Sequence, residues 1–227
     1  MLKLINIQPQ NLDLHTPQMW RSWLNDLTHW QHDLLHNHKS EGGEIYRYPL
    51  VQYHAHGFCG INAGANLLLQ LLPLLEAETS IYFQSKQEEI RLLESFKTFE
   101  VRRWQPFNSQ NYTHWNATQG LVERVQFLES ILIGNLLGFS KAVGFEIPNK
   151  SLQVKIIGNL EDLGFQRFST LNAELHRRTF HVQFETNLAI PIGIGLGRGA
   201  SKGFGQVGLV KTGKYYQKNR YHKARQS

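Results

Sequence analysis

Residues 191–208 read PIGIGLGRGASKGFGQVG: seven glycines, at 193, 195, 197, 199, 203, 205 and 208, with Arg198 and Lys202 set among them. Glycine lacks a Cβ and adopts positive φ at little cost. A chain of this kind brings several backbone N–H groups against phosphate oxygens, and the two cations add charge. Nucleotide-binding readings fit badly. Gly195, Gly197 and Ala200 loosely mimic a dinucleotide fingerprint, but the strand–loop–helix unit it needs early in the chain is missing. A P-loop ends in Gly-Lys-Ser/Thr, whereas Lys202 is followed by Gly203. A flexible hairpin is the plain alternative, and it leaves the two cations unexplained.

Outward from this segment, a closing strand is expected at Gly205–Val210. Before it, Leu152–Ile157, Arg167–Leu171 and Phe180–Phe184 read as strands, Glu161–Gly164 as a turn, and Leu121–Phe139 as a helix. The N-terminal half is clearer. Leu2 and Leu4 alternate around Lys3, and Ile5 and Ile7 around Asn6, which reads as a strand with one slip of phase. Thr16-Pro17 starts a helix, with Thr16 as N-cap and Pro17 in the first position. Trp20, Trp23, Leu24, Leu27, Trp30, Leu34 and Leu35 carry it to about His36. Tyr46–His54 and Phe58–Ile61 follow as strands, and Pro49 suits an edge or a bulge. Gly64–Ala77 reads as a helix; Ser80–Phe83 and Phe96–Arg103 read as strands. Gln105–Gln119 is polar and aromatic and reads as a loop. The order β-α-β-β-α-β is that of the ferredoxin-like split βαβ unit, so the fold class expected is α+β.

The chain has 227 residues, 41% of them hydrophobic, which suffices for one large domain or two small ones. A net charge of +6 favours polyanionic partners. One cysteine, Cys59, excludes an intrachain disulfide and a cysteine-based zinc site, and reads as a small buried apolar residue. The N-terminus lacks the apolar core of a signal peptide. No run reaches the roughly 20 apolar residues of a membrane span, so a cytoplasmic location without membrane contact is expected.

The eleven histidines point to acid–base chemistry near neutrality. His29, His32 and His36 are spaced three and four apart and share a helical face distinct from that of Trp23, Leu27 and Leu34. His36 and His38 stand where helix gives way to loop. The residues leave three readings open: solvated helix positions, acid–base groups, or metal ligands joined by Asp33. A second cluster to complete a metal site is missing. His54 and His56 flank a turn and are reserve candidates. Arg102-Arg103-Trp104, Tyr112–Trp115 and Arg177–His181 interleave aromatics with charge, as base-stacking surfaces do.

The pattern Gly-Ile-Gly-Leu-Gly, a short basic stretch, then Gly-Phe-Gly, about twenty residues before the end of the sequence, resembles the signature of the RAMP superfamily of CRISPR-associated proteins. Within it, the similarity is to endoribonucleases that cut CRISPR repeat transcripts into guide RNAs. His36-Asn37-His38-Lys39 and Tyr46-Arg47-Tyr48-Pro49-Leu50-Val51-Gln52-Tyr53 resemble the early region of one branch. The resemblance implies two ferredoxin-like domains in tandem, 1–104 and 120–215, a basic tail at 216–227, and RNA across the domain junction. It implies metal-free, cofactor-free cleavage in which a ribose 2′-hydroxyl attacks the adjacent phosphate, leaving a 2′,3′-cyclic phosphate. His38, then His36, are the implied acid–base groups, with Lys39, Arg47 and Tyr53 as stabilisers. Gly195, Gly197, Arg198, Gly199, Lys202, Gly203 and Gly205 are the implied RNA-gripping residues. The implied partner is CRISPR repeat RNA; other CRISPR effector proteins and a second copy of the chain are further candidates. The same resemblance covers non-catalytic subunits that only bind guide RNA within an effector complex.

Overall fold

A computed structural model describes residues 1–36, 48–148, 150–169 and 174–210. The first unit comprises β1 (Leu2–Pro9), α1 (Pro17–Leu27), α2 (Asp33–His36), β2 (Val51–His54), β3 (Gly57–Ile61), α3 (Ala63–Glu78) and β4 (Ile81–Glu88). Its antiparallel sheet has the order β2-β3-β1-β4, with Leu4 opposite Ile61 and Ile7 opposite Phe58. The slip of phase in β1 has a physical cause: both of its faces are buried. Ile5 and Ile7 pack with Trp20, Leu24 and Leu68 in the core of the first unit. Leu2, Leu4 and Ile61 join a larger core shared with the second unit. Pro49 lies two residues before β2, which is an edge strand.

Helix α1 begins as its sequence dictates, with Thr16 Oγ1 accepting the Met19 N–H at 3.2 Å. It ends nine residues earlier than the hydrophobic spacing predicts. The Thr28 hydroxyl donates back to Leu24 O at 2.8 Å, and His29 and Trp30 take left-handed φ of 51° and 58°. The Trp30 N–H closes the end on Asn25 O at 2.8 Å. His29, His32 and His36 therefore do not share one helical face.

The second unit comprises β5 (Leu92–Trp104), α4 (Ser109–Ala117), α5 (Leu121–Ala142), β6 (Val154–Ser169), β7 (Glu174–Leu188), a 3-10 turn (Ala200–Lys202) and β8 (Gln206–Leu209). Its sheet order is β6-β7-β5-β8. Counted within each unit, the two strand orders are the same, and the architecture is a tandem of ferredoxin-like domains. Where the first unit crosses over by α3, the second uses the glycine segment between β7 and β8.

Three expectations are corrected here. The strand expected at Phe96–Arg103 within residues 1–104 spans Leu92–Trp104, pairs with β7 and β8 and belongs to the second sheet; alternation reveals a strand but not its partner. Residues 109–117 form α4, opened by Asn108 Oδ1 accepting the Asn111 N–H at 2.7 Å. Residues 154–169 are one strand, which makes Glu161–Gly164 part of a ladder. Register shifts after Ile157 and Asp162, beside Gly158 and Gly164 at φ of 67° and 68°, mimic breaks in the sequence.

Helix α5 presents Leu128, Leu132, Leu136 and Phe139 to this sheet, all fully buried, against Phe99, Val101, Val182 and Phe184. Truncating Leu132 to Ala removes apolar volume from the centre of the shared core. It should cost about 2–5 kcal/mol, read as a lower urea midpoint with one transition for the whole molecule.

Candidate functional site

The glycine segment folds back over the first domain. Gly195 donates its N–H to Gln52 Oε1 at 2.7 Å and accepts the Tyr48 hydroxyl at 2.8 Å. Gln52 Nε2 donates in turn to Tyr48 Oη at 2.8 Å. Two close approaches explain the glycines. A Cβ at Gly205 would lie 1.9 Å from Leu196 O, and φ there is +66°. At Gly203, with φ of +78°, a Cβ would lie 2.9 Å from Pro17 Cγ and 3.0 Å from Tyr53 O. Gly197 and Gly199 are also left-handed, and Gly199 caps the 3-10 turn. The Arg198 N–H donates to Gln105 O at 3.0 Å, and its side chain is exposed. Much of the segment is interior: Ile194, Leu196, Ala200, Phe204 and Val207 are buried.

Beside it lies a cleft of about 620 Å³ between the two domains. The start of α1 (His15 to Gln18), the end of β2 (His54, Ala55), Arg102 and Arg103 of β5, and Lys202, Gly203, Phe204 and Gln206 line it. Among the described residues, three cations face it and no carboxylate lines it. Arg102 pairs with the buried Glu100, which also meets His181 Nε2 at 3.2 Å. Arg103 lies over the Phe204 ring, 4.5 Å from its centroid.

His54 ties the cleft to the strand beneath it. Gln206 Nε2 donates to its Nδ1, so the ring proton sits on Nε2 and points at Cys59 Sγ, 3.2 Å away. Burial lowers the imidazole pKa to about 4 and pushes the Cys59 thiol up to about 12.

The candidates from sequence divide. His38, Lys39 and Arg47 lie outside the described residues. His36 is buried at the end of α2, its Nε2 3.2 Å from Trp30 O and its carbonyl accepting Arg21 Nη2 at 2.6 Å. Tyr53 is fully buried and donates its hydroxyl to Leu35 O at 3.0 Å; burial raises its pKa. As placed, Tyr53 is a strut between α2 and the glycine turn, out of reach of a phosphate. Of the aromatic candidates, Trp104, Trp115 and Phe180 are core residues, with Arg124 and Arg178 set over Trp115. No group of three or more His, Cys, Asp or Glu among the described residues is placed to hold a metal ion. Gln52, Tyr48 and Gln206 were not singled out by sequence as supports of the segment, because buried amides carry no periodic signal.

The family models for the Cas6b N-terminal domain and the Cas6b C-terminal domain match residues 1–97 and 91–210. The chain belongs to the Cas6b family. The two matches overlap at residues 91–97, where β5 begins. A solved Cas6b structure superposes with a TM-score of 0.75 at 24% identity, covering 92% of this chain and 99% of that one. A CRISPR RNA processing endoribonuclease, Cas6b, superposes at 0.66 and 25% identity, covering 91% and 97%. An uncharacterized protein of Methanocaldococcus jannaschii is 29% identical over 127 residues, 56% of this chain and 81% of that one. No helix among the described residues is long and apolar enough to cross a membrane.

The burial of His54 predicts a pH dependence. The folded protein keeps this ring neutral down to about pH 4, whereas an unfolded histidine protonates near 6.5. Unfolding therefore takes up a proton as pH falls through that window. Stability should be full above about pH 6.5 and fall by up to about 1.4 kcal/mol per pH unit towards pH 4. His54→Gln should flatten the difference between urea midpoints measured at pH 7 and pH 5; an unchanged difference refutes the assignment.

Proposed function

We propose that the chain is an endoribonuclease that cuts CRISPR repeat RNA into guide RNAs. The observation that carries this is the cleft at the junction of the two domains, lined by Arg102, Arg103 and Lys202 with no carboxylate among its described residues, in a chain whose two halves both match Cas6b. A solved Cas6b of the same architecture is a CRISPR RNA processing endoribonuclease. The cations lining the cleft give it the charge that suits a phosphate backbone, and the glycine segment keeps its wall in place.

The reaction is transesterification within the RNA. A ribose 2′-hydroxyl attacks the adjacent phosphorus, the bond to the 5′-oxygen breaks, and a 2′,3′-cyclic phosphate and a 5′-hydroxyl result. The balance is closed by one proton removed from the nucleophile and one delivered to the leaving oxygen, so neither a metal nor a cofactor is required. His38 is the residue proposed to move these protons, because an imidazole ordinarily titrates near neutrality, and His36 is held in reserve. Lys39 and Arg47 are proposed to stabilise charge on the phosphate.

Incubating the protein with its repeat RNA in excess EDTA should yield a 2′,3′-cyclic phosphate end, detectable by its resistance to ligation and by mass. His38→Ala should lower the rate by about 10²-fold or more while RNA affinity stays within about twofold of the unaltered protein. Cleavage that disappears with EDTA contradicts the mechanism. Tight binding without any cleavage would mark a subunit that only holds guide RNA.

A further inference from the structure

We propose that Arg103 is an RNA phosphate-binding residue, turned into the interdomain cleft by a β-bulge that the chain maintains against a conformational preference. Along β5, pairing to β7 jumps from Val101↔Val182 to Trp104↔Phe180, so Arg102 and Arg103 together stand opposite His181 alone. Two residues against one is the mark of a bulge, a device that re-aims a side chain. Arg103 takes left-handed φ of +51° within it, a region that glycine and asparagine enter readily and arginine does not. Its own carbonyl is used by the fold, accepting the Gly205 N–H at 3.2 Å.

The side chain gains little within the protein from this position. Arg103 is exposed. No ion pair joins it to a carboxylate among the described residues, whereas its neighbour Arg102 is neutralised by Glu100. Its guanidinium lies over Phe204 of the glycine segment, a contact that fixes the group at the cleft's edge but takes up none of its five N–H donors. A planar donor set held in place, facing a cleft and without a carboxylate partner among the described residues, suits the paired oxygens of a phosphodiester. Lys202, which lines the same cleft, adds a second charge. The backbone conformation is the informative part: strain retained in a folded chain is found where a site needs it.

This assignment rests on the reading of the cleft as an RNA site. The test uses the full chain and a labelled repeat RNA with 2′-deoxyribose at the cut position, so that binding is followed without cleavage. Affinity is measured by fluorescence anisotropy across a salt series, and melting temperature is measured in parallel. Arg103→Asn and Arg103→Gly should each weaken binding about tenfold and lower the slope of log affinity against log salt by about 0.7. Both should leave the melting temperature unchanged or raised, because these residues accept the left-handed backbone. Arg103→Lys, which keeps the charge, should recover the salt slope. Unaltered affinity and slope in the Asn and Gly variants overturn the Arg103 assignment and leave the RNA cleft standing. A melting temperature that falls with the affinity assigns Arg103 to packing and overturns the proposal. Failure of the unaltered protein to bind repeat RNA removes the cleft reading and this assignment together.

Discussion

Both backbone polar groups of Gly195 are taken up by the first domain, its N–H by Gln52 and its carbonyl by Tyr48, and Gln52 and Tyr48 are bonded to each other. Gln52 is fully buried, so its amide has no solvent alternative, and losing any member leaves buried donors or acceptors unpaired. This closed set fixes the glycine segment against β2. The position of Lys202 and Phe204, the approach of Gly203 to Pro17 and Tyr53, and the shape of the cleft follow from it. A side chain at Gly195 would meet Phe204 O at 2.8 Å, which is why this link is made through backbone.

The second unit reaches its last strand without the crossover helix that the first unit has. The glycine segment fills that topological place with turns, and its apolar residues, Ile194, Leu196, Ala200 and Phe204, do the covering that a helix would do. A helix would hide its backbone groups in its own ladder. The segment instead leaves a short chain path whose N–H groups, turns and cations are arranged at the junction between sheets. The generic reading of the glycines as a phosphate cradle is thus refined: several are demanded by packing against Leu196, Trp104 and Pro17, and the charge at the cleft comes as much from the β5 bulge as from the segment itself.

The legible parts of the sequence were those where one local signal decides. Thr16-Pro17 announced a helix start, Pro49 an edge strand, and the alternation at Leu2–Ile7 a strand. The glycine signature led to the tandem fold. What stayed hidden depended on partners distant in sequence. The hydrophobic spacing through Trp30 and Leu34 continued a helix past the point where Thr28, His29 and Trp30 end it, since left-handed residues other than glycine leave no mark in composition. Strand β5 read correctly as a strand and was assigned to the wrong sheet. The bulge at Gly164 looked like a turn because a glycine marks either. In the candidate site, histidines were visible by their chemistry, but the interior role of Tyr53 and the His54–Gln206 link depend on contacts that only the fold creates.

Strand β1 has a bearing on how the molecule comes into being. Leu2, Leu4 and Ile61 turn towards a core whose other members, on α5 and on β5 and β7, lie beyond residue 90. In the order of synthesis every element of the first sheet precedes residue 90, while this second face has no partner until α5 and both strands of the β6–β7 hairpin have been made. Nascent chains at that stage carry an apolar surface beside unpaired strand edges, the condition that invites misassembly and chaperone capture. The shared core that unites the two finished domains thus makes the earlier one dependent on the later.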